Sequence, residues 1–284
     1  MKKQPRTLTE GHIRRYALYL QEQERSAATI RKYLRDLTAL QCWLKGAPLT
    51  KCALIDWKEM LVAAHAPATV NSMLAAVNSF LAFMGWRELR IRPLRIQRTL
   101  FRDAEKELTR TEYARLVKAA DRLGNERLCL VLQTLCATGI RVSELRFITV
   151  AAVETGRAEV VNKGKRRTVF LPDQLRKLLR KYLRRQKKTA GAVFTTRTGN
   201  PLDRSNIWRD MKALCEAAGV APGKVFPHNL RHLFARTYYS LEKDLSRLAD
   251  ILGHSSVATT RLYTAESGRI HARQMARVGL LLIT

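Results

Sequence analysis

The 284-residue sequence has no long apolar run and few acidic residues. Its longest apolar stretch worth testing, Leu280–Ile283, is far too short to span a bilayer. Met1-Lys2-Lys3 is followed by polar residues and a proline rather than by an apolar signal segment. We therefore expect a protein with no membrane association and a cytoplasmic location.

The cysteines are too few and too widely spaced for a disulfide framework. There are five, an odd number, and none forms a C-x-x-C pair; they are Cys42, Cys52, Cys129, Cys136 and Cys215. This pattern indicates reduced thiols and argues against both a zinc site and disulfide bonds. The sequence also lacks an Asp/Glu cluster of the kind that holds Mg²⁺. We expect no metal and no cofactor.

Positive charge, by contrast, is abundant. There are 52 Lys+Arg against 24 Asp+Glu, a net charge of +28. Such an excess repels itself unless a polyanion shares the surface, and nucleic acid releases counterions when its phosphates are neutralised. Residues 1–105 hold 18 basic and 9 acidic residues, and residues 106–284 hold 34 and 15. Two basic halves predict a clamp around double-stranded DNA.

The pattern along the chain predicts an α-rich protein of two domains joined by a linker. Residues 1–86 are predicted to form an all-helical core-binding domain with four helices and no strands. Ser26 is a candidate N-cap, and Pro67 precedes a second strong apolar stripe that Gly85 ends. Residues 87–106 are predicted to be an extended linker. Its arginines are a solvated face or, as we prefer, DNA contacts: Arg87, Arg90, Arg92 and Arg95.

The second half, residues 107–284, is predicted to be a mixed α+β catalytic domain with a small antiparallel sheet. Helices are expected at 111–122, 126–136, 173–186, 203–218, 227–241, 244–252 and 257–263. Residues 147–171 are predicted to be short strands, with a hairpin turn at Lys163-Gly164-Lys165. Three basic residues of this hairpin are further candidate DNA contacts: Lys165, Arg166 and Arg167.

Several side chains in this half suit chemistry at a phosphodiester. Arg141 and Arg231 each offer a planar, charged fork that matches two phosphate oxygens. His228 lies three residues before Arg231, on the same face of a helix that begins after Pro227. His254 follows a probable helix end at Gly253. Together they define one potential anion site.

A nucleophile and an acid complete the set. Tyr263 has a phenol whose pKa is ordinarily about 10, so it needs a base or a strong positive field in order to attack. The arginines and histidines supply that field and can stabilise a pentacoordinate phosphorus. Lys163 could protonate the leaving 5′-oxygen, and Lys165 is an alternative for that role. Each residue alone has a simpler structural explanation, and only the set favours catalysis.

These motifs resemble the tyrosine recombinase (integrase) family, most of all its Xer-type and transposon-encoded members in size and layout. The family signature is Arg, Lys, His-x-x-Arg, His and Tyr. It maps onto this sequence with no member missing: Arg141, Lys163, His228, Arg231, His254 and Tyr263. Asn162 and Arg236 depart from family preference at neighbouring positions. Glu144 is expected to orient a basic partner, and His232 to pack beneath the site.

The resemblance implies a mechanism. The two arginines and the second histidine would hold the scissile phosphate, the lysine would act as general acid, and the first histidine would assist proton transfer at the tyrosine. A 3′-phosphotyrosyl intermediate would form, and the 5′-hydroxyl of a partner strand would attack it to give a Holliday junction. Neither metal nor ATP is implied.

The resemblance also implies partners, namely paired core recombination sites on double-stranded DNA and a homotetramer assembled there. The apolar tail Val278–Ile283 is predicted to dock into a neighbouring protomer in a head-to-tail ring; the alternative is packing on its own core. Two other functions remain open: a nicking-closing enzyme of the type IB topoisomerase or resolvase kind, and a non-catalytic DNA-binding protein.

Overall fold

The chain divides into two compact units, Met1–Arg98 and Thr99–Thr284, each with its own apolar core. The computed structural model describes residues 6–96, 104–162, 164–254 and 256–264. Within these ranges it describes only the backbone of residues 104, 162, 165 and 262–264.

The N-terminal unit is helical, as predicted. Over residues 6–96 it contains α1 (Glu10–Glu22), α2 (Ala27–Leu44), α3 (Lys51–Ala64) and α4 (Pro67–Phe83), and no strand. Thr9, Ser26 and Thr50 cap the first three helices, because each hydroxyl accepts a hydrogen bond from the N–H three residues ahead. Pro67 occupies the first turn of α4, where no N–H is needed. The prediction of four helices is confirmed.

The segment that follows α4 packs on the same unit. Arg87–Leu89 form a single 3₁₀ turn, and the side chains of Leu89 and Ile91 are buried in the core. Asn78 on α4 donates to the carbonyl of Ile91 at 2.8 Å and accepts from its N–H at 2.9 Å. Asn71, two turns earlier, pairs with Leu94 in the same way, at 2.9 and 2.7 Å. The side chains of two α4 asparagines therefore bind the main chain of the first part of the predicted linker.

The second unit is helix-rich with one small sheet, and this predicted fold class is confirmed. The strands β1 (Arg157–Asn162) and β2 (Lys165–Phe170) pair antiparallel, with Arg157 opposite Phe170 and Asn162 opposite Lys165. The helices are α5 (Arg110–Arg122), α6 (Glu126–Thr138), α7 (Val150–Thr155), α8 (Asp173–Arg185), α9 (Arg204–Ala213), α10 (Cys215–Ala218), α11 (Pro227–Glu242), α12 (Leu245–Leu252) and α13 (Val257–Thr264).

Two expectations about this unit are wrong. Residues 147–171 are not all strand, since α7 occupies Val150–Thr155. The Thr149 hydroxyl accepts from the N–H of Ala152 and caps α7, and Gly156 ends it in a left-handed conformation. This local capping outweighs the strand preference of the valines. Residues 203–218 form two helices, α9 and α10, that meet at Leu214 rather than one continuous helix.

α6 is the centre of the second unit. Most of its side chains are buried, and it packs against α5, α8, α9 and α11. Because α6 is buried on most sides, the position of its C-terminal end is fixed by packing. Gly139 and Arg141 follow that end and belong to the site described below. Over the part of the chain that the structure describes, every helix is too short or too polar to cross a membrane.

Candidate active site

Arg141 is held by a residue three positions ahead. It lies at the start of a 3₁₀ turn, Val142–Phe147, immediately after the end of α6. Glu144 accepts from the main-chain N–H of Arg141 at 2.8 Å and from its Nη1 at 3.0 Å. The Glu144 side chain is only 1% exposed, whereas that of Arg141 is 33% exposed. The carboxylate therefore fixes the arginine from inside and leaves part of its guanidinium accessible, which agrees with the orienting role expected for Glu144.

Gly139 brings two elements unusually close together. Its φ is +63°, and a Cβ at this position would lie 2.3 Å from the ring of Phe234 on α11. Only glycine fits such an approach. Its carbonyl accepts a hydrogen bond of 2.6 Å from Nη1 of Arg231, which also lies on α11. The glycine thus sets the distance between the end of α6 and the second arginine.

Arg231 is the most enclosed charge among the described candidates, at 1% exposure. Besides its bond to Gly139, its Nη2 donates to the carbonyl of Leu252, the last residue of α12, at 2.7 Å. Both acceptors lie at the C-terminal ends of helices, where carbonyls lack intrahelical partners and carry partial negative charge. The guanidinium joins α6 and α12 and is held in one orientation.

His254 follows directly after α12 and Gly253. Its Nε2 lies 3.0 Å from Nη2 of Arg231, and its Nδ1 lies 2.8 Å from Oγ1 of Thr260. A guanidinium can only donate, so Nε2 accepts from Arg231 and Nδ1–H donates to Thr260. Thr260 is fully buried on α13, three residues before Tyr263. A direct hydrogen-bonded chain therefore runs from Arg231 to the helix that carries Tyr263.

Burial and the charge around His254 keep its imidazole neutral. Burial, and then the nearby guanidinium groups of Arg231, Arg141 and Arg167, lower the pKa of His254 to about 4; His228 contributes in the same direction. Burial and neighbouring cations both disfavour the protonated ring. Burial is the larger cause, and the three guanidinium groups add positive charge that an anionic group would encounter here.

His228 stands at the N-terminal end of the same helix as Arg231. It is the second residue of α11, it is exposed, and its ring meets that of His232 edge to face, with 4.5 Å between centroids. His232 is partly buried, as expected for a supporting residue. The arrangement leaves the His228 ring at the surface, one helical turn before Arg231.

Arg167 on β2 enters the same cluster. Its Nη1 and Nη2 donate to the two oxygens of Glu144 at 2.9 and 2.7 Å, and its Nε donates to the carbonyl of Ile251 at 3.3 Å. Its side chain is 14% exposed, whereas Arg166 is exposed. Three guanidinium groups and one carboxylate thus meet beside a neutral imidazole. This set carries a net charge of two positives and suits a phosphate.

The comparisons with known proteins agree with this geometry. The description "Phage integrase, N-terminal SAM-like domain" matches residues 13–88, and "Phage integrase family" matches residues 106–269, more than half of the chain. The chain belongs to the phage integrase family. It is a tyrosine site-specific recombinase in its enzyme class.

Its curated relatives carry recombinase names. It is 28% identical over 288 residues to tyrosine recombinase XerA of Pyrococcus furiosus, covering 97% of this chain and 96% of that protein. It is 31% identical to tyrosine recombinase XerD of Xanthomonas campestris, covering 90% and 88%. A lambda integrase tetramer bound to a Holliday junction shares the fold, with a TM-score of 0.74, 19% identity, and coverage of 92% of this chain and 78% of that one.

Some predicted residues of this recombinase fall outside the described part. Lys163 and the tail Val278–Ile283 lie outside the described residues, as do the side chains of Lys165 and Tyr263. The backbone of Tyr263 belongs to α13. Among the described side chains, no group of three or more His, Cys, Asp or Glu residues could hold a metal ion.

Two residues of the site escaped the sequence-based reasoning. Thr260 went unnoticed, although its position one turn before Tyr263 on a predicted helix is a local signal that could have revealed it. Arg167 was interpreted as a DNA contact. Its partners Glu144 and Ile251 are 23 and 84 residues away, and no local pattern predicts such pairings.

Proposed function

We propose that this chain is a site-specific DNA recombinase that cleaves and rejoins strands through a 3′-phosphotyrosyl intermediate on Tyr263 and a Holliday junction. The observation that carries the proposal is the convergence of Arg141, Arg231 and His254, linked through Thr260 to the helix of Tyr263. Such a cluster suits the anionic, five-coordinate phosphorus of an in-line displacement.

The proposed reaction exchanges one ester for another. The phenolic oxygen of Tyr263 bonds to phosphorus while the bond from phosphorus to the 5′-oxygen breaks. His228 takes the phenolic proton or relays it, and Lys163 (or Lys165) protonates the departing 5′-oxygen. Because an ester is formed for each one broken, the reaction requires no ATP. A 5′-hydroxyl from the partner strand then reverses these steps.

The arginines replace what a metal ion would otherwise supply. In the proposal, Arg141 and Arg231 bind the two non-bridging oxygens, and His254 supports the contact by orienting Nη2 of Arg231, which donates to its Nε2. Their donors are already oriented by Glu144, Gly139 and helix carbonyls, so little reorganisation accompanies the transition state. Removing one such donor typically costs about 10²–10³ in rate.

The proposed partners are paired core sites on double-stranded DNA and three further copies of the chain. The basic charge of both units supports DNA binding, and a lambda integrase of the same fold is a tetramer on a Holliday junction. We assign the tail Val278–Ile283 to docking between protomers. Deletion from Gly279 onward should abolish tetramers on DNA while leaving monomer binding; tetramers that form as before would contradict this assignment.

The test of the chemistry uses a library of duplexes with varied sequence, each carrying one nick, from which the protein selects those nicked close to its cleavage point. Loss of the short fragment prevents religation and traps the covalent adduct. Wild-type chain should yield adducts whose DNA ends share a sequence, with or without EDTA, and Tyr263→Phe should yield none. Tyr239→Phe is the matched control and should retain the adduct, because its ring contacts survive the change.

The outcomes separate the candidate functions. Adduct on Tyr263→Phe, or loss of wild-type adduct in EDTA, would overturn the mechanism. No adduct on wild type would favour a non-catalytic DNA-binding protein. Adduct together with relaxation of supercoils and no exchange between two sites would favour a nicking-closing enzyme of the type IB topoisomerase or resolvase kind.

A further inference from the structure

Two adjacent arginines of β2 have opposite surroundings. Successive side chains of a strand point to opposite faces, and here Arg166 is exposed while Arg167 is 14% exposed. Charge and sequence make both equal candidates for contacting DNA. Their environments differ so strongly that they cannot contribute in the same way.

The carboxylate that Arg167 holds, that of Glu144, accepts from Arg141 as well. Oε1 of Glu144 accepts from Nη1 of Arg141 and Nη1 of Arg167, and Oε2 accepts from the Arg141 main-chain N–H and Nη2 of Arg167. Each carboxylate oxygen of Glu144 thus accepts from both Arg141 and Arg167. At 1% exposure, Glu144 has no water to replace a lost partner. Arg167 therefore determines how Glu144 presents Arg141.

Arg167 also contacts the turn that presents His254. Its Nε donates to the carbonyl of Ile251, in the last turn of α12. Gly253 lies against its aliphatic stem, and a Cβ there would come within 2.8 Å of Cδ of Arg167. One guanidinium thus joins the Arg141 segment to the turn that leads into His254.

The shared carboxylate has an electrostatic consequence as well. Glu144 is divided between two guanidinium groups, so the trio keeps one net positive charge. If Arg167 were neutral, Glu144 would draw on Arg141 alone, and Arg141 would stabilise less of the negative charge that develops on the phosphate in the transition state. In a site with little water this difference is weakly screened.

We propose that Arg167 is a positioning residue of the reaction and not a DNA contact: it holds Glu144 and the 251–254 turn so that Arg141 and His254 face the phosphate in active geometry. This inference rests on the proposed function and deepens it by separating the basic residues of one strand into those that bind DNA and those that orient the site.

The test compares Arg167→Gln with Arg166→Gln in the full chain. Two quantities are measured on the nicked duplex: the dissociation constant as a function of salt, and the first-order rate of adduct formation when all DNA is bound. Arg167→Gln should keep the affinity within about twofold and the same salt slope, while the adduct rate falls by at least about tenfold. Arg166→Gln should weaken DNA binding and lower the salt slope by about one. Its adduct rate should equal that of wild type once all DNA is bound.

Two further variants guard against a trivial loss of structure. Arg167→Lys keeps the charge but cannot bind both carboxylate oxygens and a carbonyl, so its adduct rate should lie between those of wild type and Arg167→Gln, and a cooperative melting transition should show that the chain is still folded. Because Arg167 acts largely through Glu144, the double variant Arg167→Gln/Glu144→Gln should be no slower than the slower single variant within about threefold.

Three results would overturn the inference. These are a reduced salt slope for Arg167→Gln like that of Arg166→Gln, an unchanged adduct rate, or rate losses that multiply in the double variant. Absence of adduct on the wild-type chain would count against the proposed function itself. Wild-type adduct with undiminished Arg167→Gln adduct would count against the role of Arg167 alone.

Discussion

The two units use arginine in contrasting ways. In the N-terminal unit the residues predicted to contact DNA are exposed: Arg87, Arg90, Arg92 and Arg95. In the second unit Arg231 is 1% exposed and Arg167 is 14% exposed, and both donate to carbonyls or to a carboxylate. An exposed guanidinium contributes mainly charge that salt screens, whereas an enclosed one contributes the fixed direction of its donors. The same residue type therefore predicts different consequences in the two units.

The side chains that hold main-chain segments in place also differ between the two units. Asn71 and Asn78 carry neutral amides that both donate and accept, so each pairs with the N–H and carbonyl of a single residue. Arg231 only donates, so it joins two carbonyls at helix ends. The amide pairs stabilise a fold without adding charge. The guanidinium stabilises a fold and leaves a positive site beside it.

The largest effect that would test this contrast is expected from Arg231→Lys. An ammonium keeps the charge but cannot reach Gly139, Leu252 and a phosphate together, so the adduct rate at saturating protein should fall by about 10²–10³. Arg92→Lys, the same exchange at an exposed position, should change that rate by less than about twofold. If Arg231→Lys retained a rate within fivefold of wild type, enclosed and exposed arginines would be equivalent and the comparison would fail.

A second effect, of intermediate size, is expected on the stability of the folded chain at acidic pH. The pKa of His254 is about 4 in the folded chain and about 6.5 when unfolded. The unfolded form therefore binds a proton as pH falls below 6.5 and the folded form does not, so this contribution to stability is complete above pH 6.5 and is lost as pH falls toward 4. Lowering the pH from 7.5 to 5.0 should raise the unfolding equilibrium constant of wild type about 30-fold more than that of His254→Gln.

The measurement is urea unfolding of both full-length chains at the two pH values, followed by a signal from the second unit. Taking the difference between the chains removes the titration of all other groups. The same pH sensitivity in both chains would show that burial and the neighbouring guanidinium groups do not disfavour the protonated ring of His254, and would contradict the description of the second unit's arginines as enclosed.

The smallest effect is expected in the N-terminal unit. Arg90→Gln and Arg92→Gln should each reduce the slope of log affinity against log salt by about one and weaken DNA binding a few-fold, with no change in adduct rate once DNA is saturated. Fluorescence anisotropy across a salt series measures the slope. A variant that left the slope untouched would place that arginine off the DNA and make the solvated-face interpretation correct for it.

Sequence reasoning succeeded where a signal was local. The four N-terminal helices follow from caps and apolar stripes, and the family resemblance names Arg141, Arg231 and His254, which lie near one another in the folded chain. It was wrong at α7, because a single capping threonine outweighed a run of strand-forming residues. It could not distinguish Arg166 from Arg167, because that difference arises from Glu144 and Ile251, which only the folded chain brings near.

The two asparagine pairs on α4 fix the register of the segment that follows the helix. Asn71 and Asn78 are seven residues apart, a helical rise of about 10.5 Å, and their partners Leu94 and Ile91 are three residues apart, an extended length of about 10 Å. The two lengths match only in this register. Inserting one residue between Ile91 and Leu94 would break the hydrogen bonds of one of the two asparagines. The length of chain that connects the two units is therefore counted from Leu94 and not from the end of α4.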